Sequence, residues 1–129
     1  MDKEKHRNFV KNAKNEYKNI NKIICPAFGN EFVYFNQKGF KHLVMKKGKY
    51  RTISEQIRRL KLIPEIVSVI SNAIEFSSYR NSFGIDFWSI SKIVNGIIII
   101  VVIRQNSVDK HKYFLSVMDK VIYKNAKAP

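Results

Sequence analysis

The chain has 129 residues, 45% of them hydrophobic, and a formal net charge of +14 from 24 Lys and Arg against 10 Asp and Glu. This length fits one domain with a substantial core, and the composition is that of a folded chain rather than a disordered one. A single cysteine excludes an internal disulfide framework and a Cys-based zinc cluster. The excess of positive charge predicts a polyanionic partner, with nucleic acid as the first candidate and an anionic membrane surface as the second.

The sequence predicts neither export nor membrane insertion. MDKEKHRNFV is charged and lacks the apolar region of a secretory signal. The longest apolar run, Ile97 to Ile103, has seven residues, whereas a membrane-spanning helix needs about 20. Together with the lone Cys25, which suits a reducing compartment, these features predict a cytoplasmic protein without a membrane-embedded part.

The first third of the chain predicts a helix, a connector and a strand. Residues 1–22 are read as a basic amphipathic helix, because their apolar positions follow three-to-four spacing. These positions are Phe9, Val10, Ala13 and Tyr17. KIICPAFGNE contains Pro26 and Gly29 and is predicted to be a connector, and EFVYF is predicted to be a short strand.

The segment GFKHLVMKKGKYR predicts a helix with two different faces. Asn36 is a plausible N-cap, and the helix is expected to run from Gln37 through Lys46 and to end near Gly48. One face carries Phe40, Leu43 and Val44 and is expected to pack on the sheet. His42 and Lys46 are four residues apart, so a helix would project them together from another face.

The remainder predicts two helices and then a sheet. Helical spacing continues from Thr52 to Ala73, and Pro64 favours a break with a second helix starting there. Four strands are predicted next, at EFSSYR, IDFWSISKIV, GIIIIVVIRQ and HKYFLSVM, with Asn95-Gly96 as a hairpin turn. IIIIVVI is expected in mid-sheet under at least one helix, and the tail VIYKNAKAP either adds a last strand or frays. The predicted fold is α+β: N-terminal helices followed by a four-stranded antiparallel β-meander, in a single domain over residues 1–129 with its core at 31–118.

Most enzyme classes that depend on a recognisable motif are excluded. The three histidines are far apart, the carboxylates are scattered, and no HExxH pattern occurs, so no metal site is predicted. GxGxxG and Walker A patterns are missing, so no nucleotide cofactor is expected. Cys25 lies beside Pro26 in an apolar setting and is read as a small buried hydrophobe.

The basic segment at 38–61 is the strongest functional signal. It contains nine Lys and Arg and one acidic residue, Glu55, a local net charge of +8. Such concentrated charge favours phosphate binding over a merely solvated helix face. The residues predicted to bind RNA are Lys41, Lys46, Lys47, Lys49, Arg58 and Arg59. His42 is the one side chain of this segment that changes protonation near neutral pH, and Lys46, Lys49 and Arg51 are close enough in sequence to share its cleft.

The sheet contributes further candidates. Arg104 ends the long apolar strand, and Ser116 lies in KYFLSVM, where strict alternation would place its hydroxyl on one face with Phe114 and Met118. Ser116 is therefore either a satisfied core hydroxyl or a phosphate ligand. Weaker candidates are Tyr113 and His111, and the aromatic residues Phe83, Phe87 and Trp88 are read as core packing rather than as base-stacking groups.

Four stretches carry a resemblance to a known family: VYFNQKGFKHLV, the basic residues up to Arg51, the helical EQIRRLKLIPEIV and the terminal YFLSV. Together they resemble the barnase–EndoU–colicin–RelE-like (BECR) ribonuclease superfamily. The resemblance covers residues 23 to 118 and is to its phage and mobile-element branches. It implies metal-free RNA cleavage by an α+β domain. It further implies that His42 is the general acid or base, that Arg51 and Arg104 are phosphate ligands, and that Ser116 is the late-strand hydroxyl. The group that complements His42 stays open, since no second histidine aligns.

We therefore expect a small endoribonuclease, toxin-like in character, whose partner is tRNA, mRNA or rRNA and which has an immunity or antitoxin protein as a further candidate partner. Metal-free cleavage of RNA needs a base, an acid and fixed cations, which His, Lys and Arg can supply. One rival is a non-catalytic RNA- or DNA-binding module that uses the basic 38–61 face. The other is a domain that binds anionic membranes or proteins.

Overall fold

The computed structural model describes residues 2–121 and has a mixed α+β architecture, as predicted. The helices are α1 (Lys3–Lys18), α2 (Gln37–Val44), α3 (Ile53–Leu60) and α4 (Ile63–Ser71), with a 3₁₀ turn at Pro26–Phe28. The strands are β1 (Lys22–Cys25), β2 (Glu31–Tyr34), β3 (Met45–Lys46), β4 (Lys49–Tyr50), β5 (Ser78–Ser82), β6 (Ile85–Val94), β7 (Ile97–Gln105) and β8 (Lys112–Val121).

The main sheet has six strands in the order β1-β2-β8-β7-β6-β5, so the prediction of a four-stranded antiparallel sheet is wrong. Strands β5 to β8 are antiparallel neighbours, but β2 joins β8 in parallel and β1 extends the sheet beyond it. Two strands are therefore added to the predicted four. One is β2, which the sequence predicts as a strand outside the meander, and the other is β1, because KIIC is not a connector: Ile23 and Cys25 alternate toward the core, and the turn begins only at Pro26. The predicted tail strand or fray lies outside the described residues apart from Val121, which ends β8.

The central position of β7 is confirmed, since it lies between β8 and β6. Its burial alternates, however: Ile99, Val101 and Ile103 are buried, whereas Ile98, Ile100 and Val102 are partly exposed. The helices therefore cover only one face of the sheet. We call the face that carries Ile98, Ile100 and Val102 the open face, and the other the helix face.

A β-bulge in β8 changes the predicted arrangement around Ser116. Val102 pairs with Ser116 and Ile103 with Phe114, so Leu115 is an extra residue on β8. Phe114 consequently faces the helices and is buried, while Ser116 faces the open side. The expectation that Phe114 and Ser116 share a face is wrong, because strict alternation does not hold across a bulge.

The helices pack through a single cluster of buried residues. The predicted amphipathic α1 buries Ala13 and Tyr17, and the Tyr17 ring lies 5.4 Å from the Phe40 ring and 6.1 Å from the Phe114 ring. The Tyr17 hydroxyl donates a 2.7 Å hydrogen bond to the carbonyl of Asn36, and burial raises its pKa. This contact fixes the start of α2 against α1 and β8.

The predicted break at Pro64 is confirmed. Thr52 caps α3 by accepting a hydrogen bond from the Glu55 amide, and Pro64 lies in the first turn of α4, where its missing N–H costs no helical bond. Leu60, Ile63 and other apolar residues of the two helices are buried in the cluster under the sheet.

Helix α2 ends at Val44, so the prediction that it continues through Lys46 toward Gly48 is wrong. Met45 is already extended, with φ −131° and ψ 154°, and β3 pairs with β4 as a small two-stranded ribbon. Lys47 and Gly48 both have positive φ, 50° and 80°, as in the type I′ turns that join two-residue hairpins. Lys46 therefore projects from the ribbon and not from the helix face of His42.

Candidate functional site

Helix α2 is held by its buried face, which determines where His42 points. The Asn36 side chain accepts a hydrogen bond from the Gly39 amide, which confirms the predicted N-cap. The predicted packing face is also confirmed, because Phe40, Leu43 and Val44 are buried. Gly39 lies so close to β8 that a Cβ there would overlap the Tyr17 hydroxyl and the Phe114 carbonyl. The remaining side of α2 carries His42.

Arg51 lies against the C-terminal end of α2. Its backbone N–H donates to the Val44 carbonyl at 2.8 Å, and its guanidinium Nε donates to the His42 carbonyl at 3.1 Å. Its own carbonyl accepts a 2.8 Å hydrogen bond from the Gln56 amide, and Gln56 is itself buried and bonded to His6. The guanidinium charge is thereby fixed beside His42.

A wide, open groove of about 1080 Å³ runs along this side of α2. Helix α1 contributes Val10 and Lys14 to its wall, and the β3–β4 ribbon contributes Lys47 and Tyr50. The α2 segment contributes Lys38, Lys41, His42 and Met45 among others. We call it the α2 groove. Within the described part of the chain, none of its lining residues is acidic.

The surroundings of His42 favour the neutral imidazole. Burial, and then the positive charges of Lys38, Arg51 and Arg104, lower its pKa from the ordinary 6.5. A neutral imidazole at pH 7 can accept a proton, which a base needs. The predicted residues His42, Arg51 and Arg104 are thus brought into one electrostatic neighbourhood, although Arg104 comes from the sheet.

A small pocket of about 80 Å³ joins α2 to the open face of the sheet. Lys38 lines both this pocket and the α2 groove, and Arg104, Tyr113 and Leu115 line the pocket from β7 and β8. The β8 bulge places Leu115 in this lining. Lys38 therefore connects the two concave regions.

Ser116 lies apart from His42. It lies on the open face opposite Val102, two positions along β7 from Arg104. It lines neither the α2 groove nor the small pocket. The structure thus groups Ser116 with Arg104 on one face of the sheet rather than with His42.

The predicted RNA-binding lysines surround the groove. Lys41 and Lys47 line it, while Lys46 and Lys49 are paired directly across the ribbon. Like charges opposite each other destabilise a ribbon, and the short ribbon carries this pair with exposed side chains. Such an arrangement suits a surface that meets an anion.

Arg58 and Arg59 are engaged elsewhere. Arg59 donates from Nε to Glu55 at 2.9 Å and from Nη1 to the Val117 carbonyl at 2.6 Å. Arg58 pairs with Asp119 at 2.6 Å and donates to the Asp119 carbonyl at 2.9 Å. These bonds satisfy backbone carbonyls on the part of β8 that β2 does not pair with, so both guanidinium groups have partners within the protein. The predicted role of Arg58 and Arg59 in RNA binding stays a prediction.

Other candidate residues have structural surroundings. Cys25 is fully buried, as predicted, and burial raises the pKa of its thiol. Trp88 contacts Phe28 and Phe76 on the helix face, which agrees with its reading as core packing. The same reading is wrong for Phe83, which is fully exposed in the turn between β5 and β6. Lys38, by contrast, was missed by sequence reasoning. The signal for Lys38 is its position four residues before His42 in one helix, whereas Lys46, four residues after His42, lies beyond the end of that helix.

Comparison of the chain with protein-family models, with characterised proteins and with solved structures found no match. Over residues 2–121, no three His, Cys, Asp or Glu side chains lie close enough to hold a metal ion. No helix in that range is long and apolar enough to cross a membrane. The resemblance to the BECR superfamily stays a prediction.

Proposed function

We propose that this protein is a metal-independent endoribonuclease that cleaves RNA in the α2 groove, with His42 as the base. The observation that carries the proposal is a half-buried histidine of lowered pKa in a groove lined by lysines and free of acidic lining residues among those described. Lysines attract the phosphate backbone, and a neutral imidazole can act on it.

The chemistry uses atoms of the substrate and the charges around His42. The imidazole takes the proton of a 2′-hydroxyl, and the 2′-oxygen attacks the adjacent phosphorus. The bond from phosphorus to the 5′-oxygen breaks, which leaves a 2′,3′-cyclic phosphate and a 5′-hydroxyl. Arg51 and Arg104 stabilise the charge that develops on the phosphorus oxygens. Lys38, one helical turn before His42, donates a proton to the leaving 5′-oxygen.

The test is incubation of the purified protein with labelled RNA at low salt in EDTA. We expect fragments that end in 2′,3′-cyclic phosphate. His42→Ala should reduce the rate by about 10²–10⁴-fold, which is the usual contribution of a general base, while RNA affinity stays within a few fold. Lys92→Ala, which changes a β6 side chain bonded to Ser68 away from the groove, is the control and should cut at the wild-type rate.

A second candidate function is a non-catalytic RNA-binding module, favoured by the Lys46–Lys49 pair across the ribbon. It uses the same groove without bond cleavage. Tight, salt-dependent RNA binding with intact RNA across single-stranded, hairpin and tRNA substrates would support the module and overturn the enzyme. A toxin-like role with an immunity protein is a further step that depends on cleavage being found.

A further inference from the structure

Four rings form a continuous row on the open face at the β2–β8 junction. Phe32 and Tyr34 lie 6.1 Å apart between ring centroids, and Tyr34 lies 5.8 Å from Tyr113 and 4.8 Å from His111. Tyr34 and Tyr113 are partners across the parallel pairing of β2 and β8. We call these four residues the aromatic row.

The aromatic row does not belong to the hydrophobic core. The core side of β2 is Val33, which is fully buried, whereas Phe32 is 37% exposed on the other face. None of the four rings is buried, and the helices pack on the helix face. Single exposed aromatic residues are normal, but a contiguous row on an uncovered sheet face indicates a binding surface.

The acidic residues of the sheet are confined to one of its faces. The cations of the open face include Lys22, whose Nζ lies 4.4 Å from the centre of the Phe32 ring, and Arg104 beyond Tyr113. The acidic residues within the described strands all face the helices, where each has a bonded partner. They are Glu31 with Lys112, Asp86 with Tyr79, and Asp119 with Arg58.

One carboxylate does approach the row. Asp109, in the loop before β8, accepts a 2.8 Å hydrogen bond from the Tyr113 hydroxyl and another from the His111 amide. Its charge is therefore held by hydrogen bonds at the edge of the row, and it orients the Tyr113 ring. The strand partner of Tyr34 on β1 is Lys22, whose amine also lies over the Phe32 ring, so the charged neighbour of these two rings is a cation.

The charge distribution selects the occupant. A second copy of this chain, with a net charge of +14, would meet repulsion at a face rimmed by lysine and arginine. A single-stranded nucleic acid instead offers phosphates for Lys22 and Arg104 and unpaired bases for the rings. A duplex hides its base faces and offers only phosphates.

The aromatic row is also continuous with the candidate site. Tyr113 and Arg104 line the small pocket together with Lys38, and Lys38 lines the α2 groove that holds His42. A strand lying on the open face can therefore pass over the edge of β8 and reach His42 without leaving cationic surface.

We propose that the aromatic row is a subsite for unpaired RNA bases, in which Phe32 and Tyr34 stack on successive bases while Lys22 and Arg104 hold the flanking phosphates. The choice of RNA rests on the proposed function. The consequence is that the substrate of this protein is single-stranded next to the cleaved bond, because only unpaired bases can reach the rings.

The test measures fluorescence anisotropy of a labelled 12-nucleotide RNA with the His42→Ala protein, so that cleavage does not interfere. Adding Phe32→Ala or Tyr34→Ala should weaken binding about tenfold, as expected for the loss of one base-stacking partner. Tyr34→Phe keeps the ring and should bind like its parent. Ile93→Ala is the control, since Ile93 is 65% exposed on the same face but lies on β6 outside the row.

A second probe separates stacking from charge and from damage to the fold. The same oligonucleotide with two abasic positions keeps its phosphates, so the parent should bind it about a hundredfold more weakly than the intact RNA when those positions meet Phe32 and Tyr34. The Tyr34→Ala protein should bind this abasic RNA almost as well as the parent does, because the base that Tyr34 would stack on is already missing. A duplex of the same sequence should bind parent and Tyr34→Ala equally.

Each outcome decides between the possibilities. Equal loss for Tyr34→Ala and Ile93→Ala, or equal loss for duplex and single strand, would overturn the subsite. Failure of the proposed function looks different, because wild-type protein would then leave RNA intact while the ring-dependent, base-dependent binding persisted. Cleavage that depends on His42 but not on the rings would retain the enzyme and reject the subsite.

Discussion

The basic segment contains two halves that look alike in sequence but differ in the structure. In the first half, Lys41 and Lys47 line the α2 groove, and Lys46 faces Lys49 across an exposed ribbon. In the second half, Arg58 and Arg59 bind Glu55, Asp119 and carbonyls of β8. A count of charges treats both halves as phosphate-binding. The difference is whether a cation has a carboxylate or a free carbonyl within reach.

The largest difference between the halves should appear in stability. Arg59→Ala removes the bonds to Glu55 and Val117 and leaves a half-buried carboxylate and a carbonyl without that donor. We expect a loss of about 2–3 kcal/mol in the free energy of unfolding, since two charge-assisted bonds disappear at a side chain only 15% exposed. Urea denaturation measures the change.

Arg7→Ala is the matched control for that experiment, because it removes the same charge from an exposed position of α1. It should alter stability by less than about 0.5 kcal/mol. Equal effects of the two variants would show that Arg59 does not support the β8 edge, and the contrast between the two halves would then disappear.

In the first half of the basic segment, substitutions should weaken RNA binding rather than stability. Replacing Lys46, Lys47 and Lys49 together by Gln should weaken binding of single-stranded RNA about tenfold and lower the slope of log affinity against log salt by about 2. Stability should be unchanged or slightly higher, because the Lys46–Lys49 repulsion across the ribbon is relieved.

The control for the ribbon variant removes the same charge from outside the groove, by changing Lys3, Lys5 and Lys61 to Gln. Its salt slope should stay close to that of the wild-type protein. If the control weakens RNA binding as much as the ribbon variant, then net charge governs affinity and the ribbon has no special role.

These contrasts explain what the sequence could and could not predict. The Pro64 break, the Asn36 cap and the buried face of α2 follow from local rules, and the structure has all three. The sequence predicts too long an α2 because Met45 and Lys46 continue its pattern, whereas the type I′ turn at Lys47-Gly48 requires an extended chain before it.

The long-range features were not accessible in the same way. The parallel pairing of β2 with β8 joins segments about 80 residues apart in sequence, and the bulge at Leu115 interrupts the alternation between the neighbouring strands β7 and β8; no local pattern encodes either feature. The sequence predicts candidate residues from their chemical type alone. Only the fold shows that Ser116 lies apart from His42 and that Lys38 lies close to it.

The smallest expected effect is a shift in the pKa of His42, which the charge of Lys38 helps to lower. Lys38→Gln should raise that pKa toward 6.5, because the protonated imidazole loses a like-charged neighbour. NMR titration of the His42 ring measures the shift, and Lys92→Gln on β6, whose amine is bonded to Ser68, should leave it unchanged. Since the neutral imidazole is the proposed base, cleavage falls as pH drops through this pKa. The overall rate of Lys38→Gln should fall because the proposed proton donor is lost, and the acid limb of the remaining activity should move to higher pH. An unmoved titration would mean that the Lys38 side chain points away from His42, which would also remove it as the donor to the leaving oxygen.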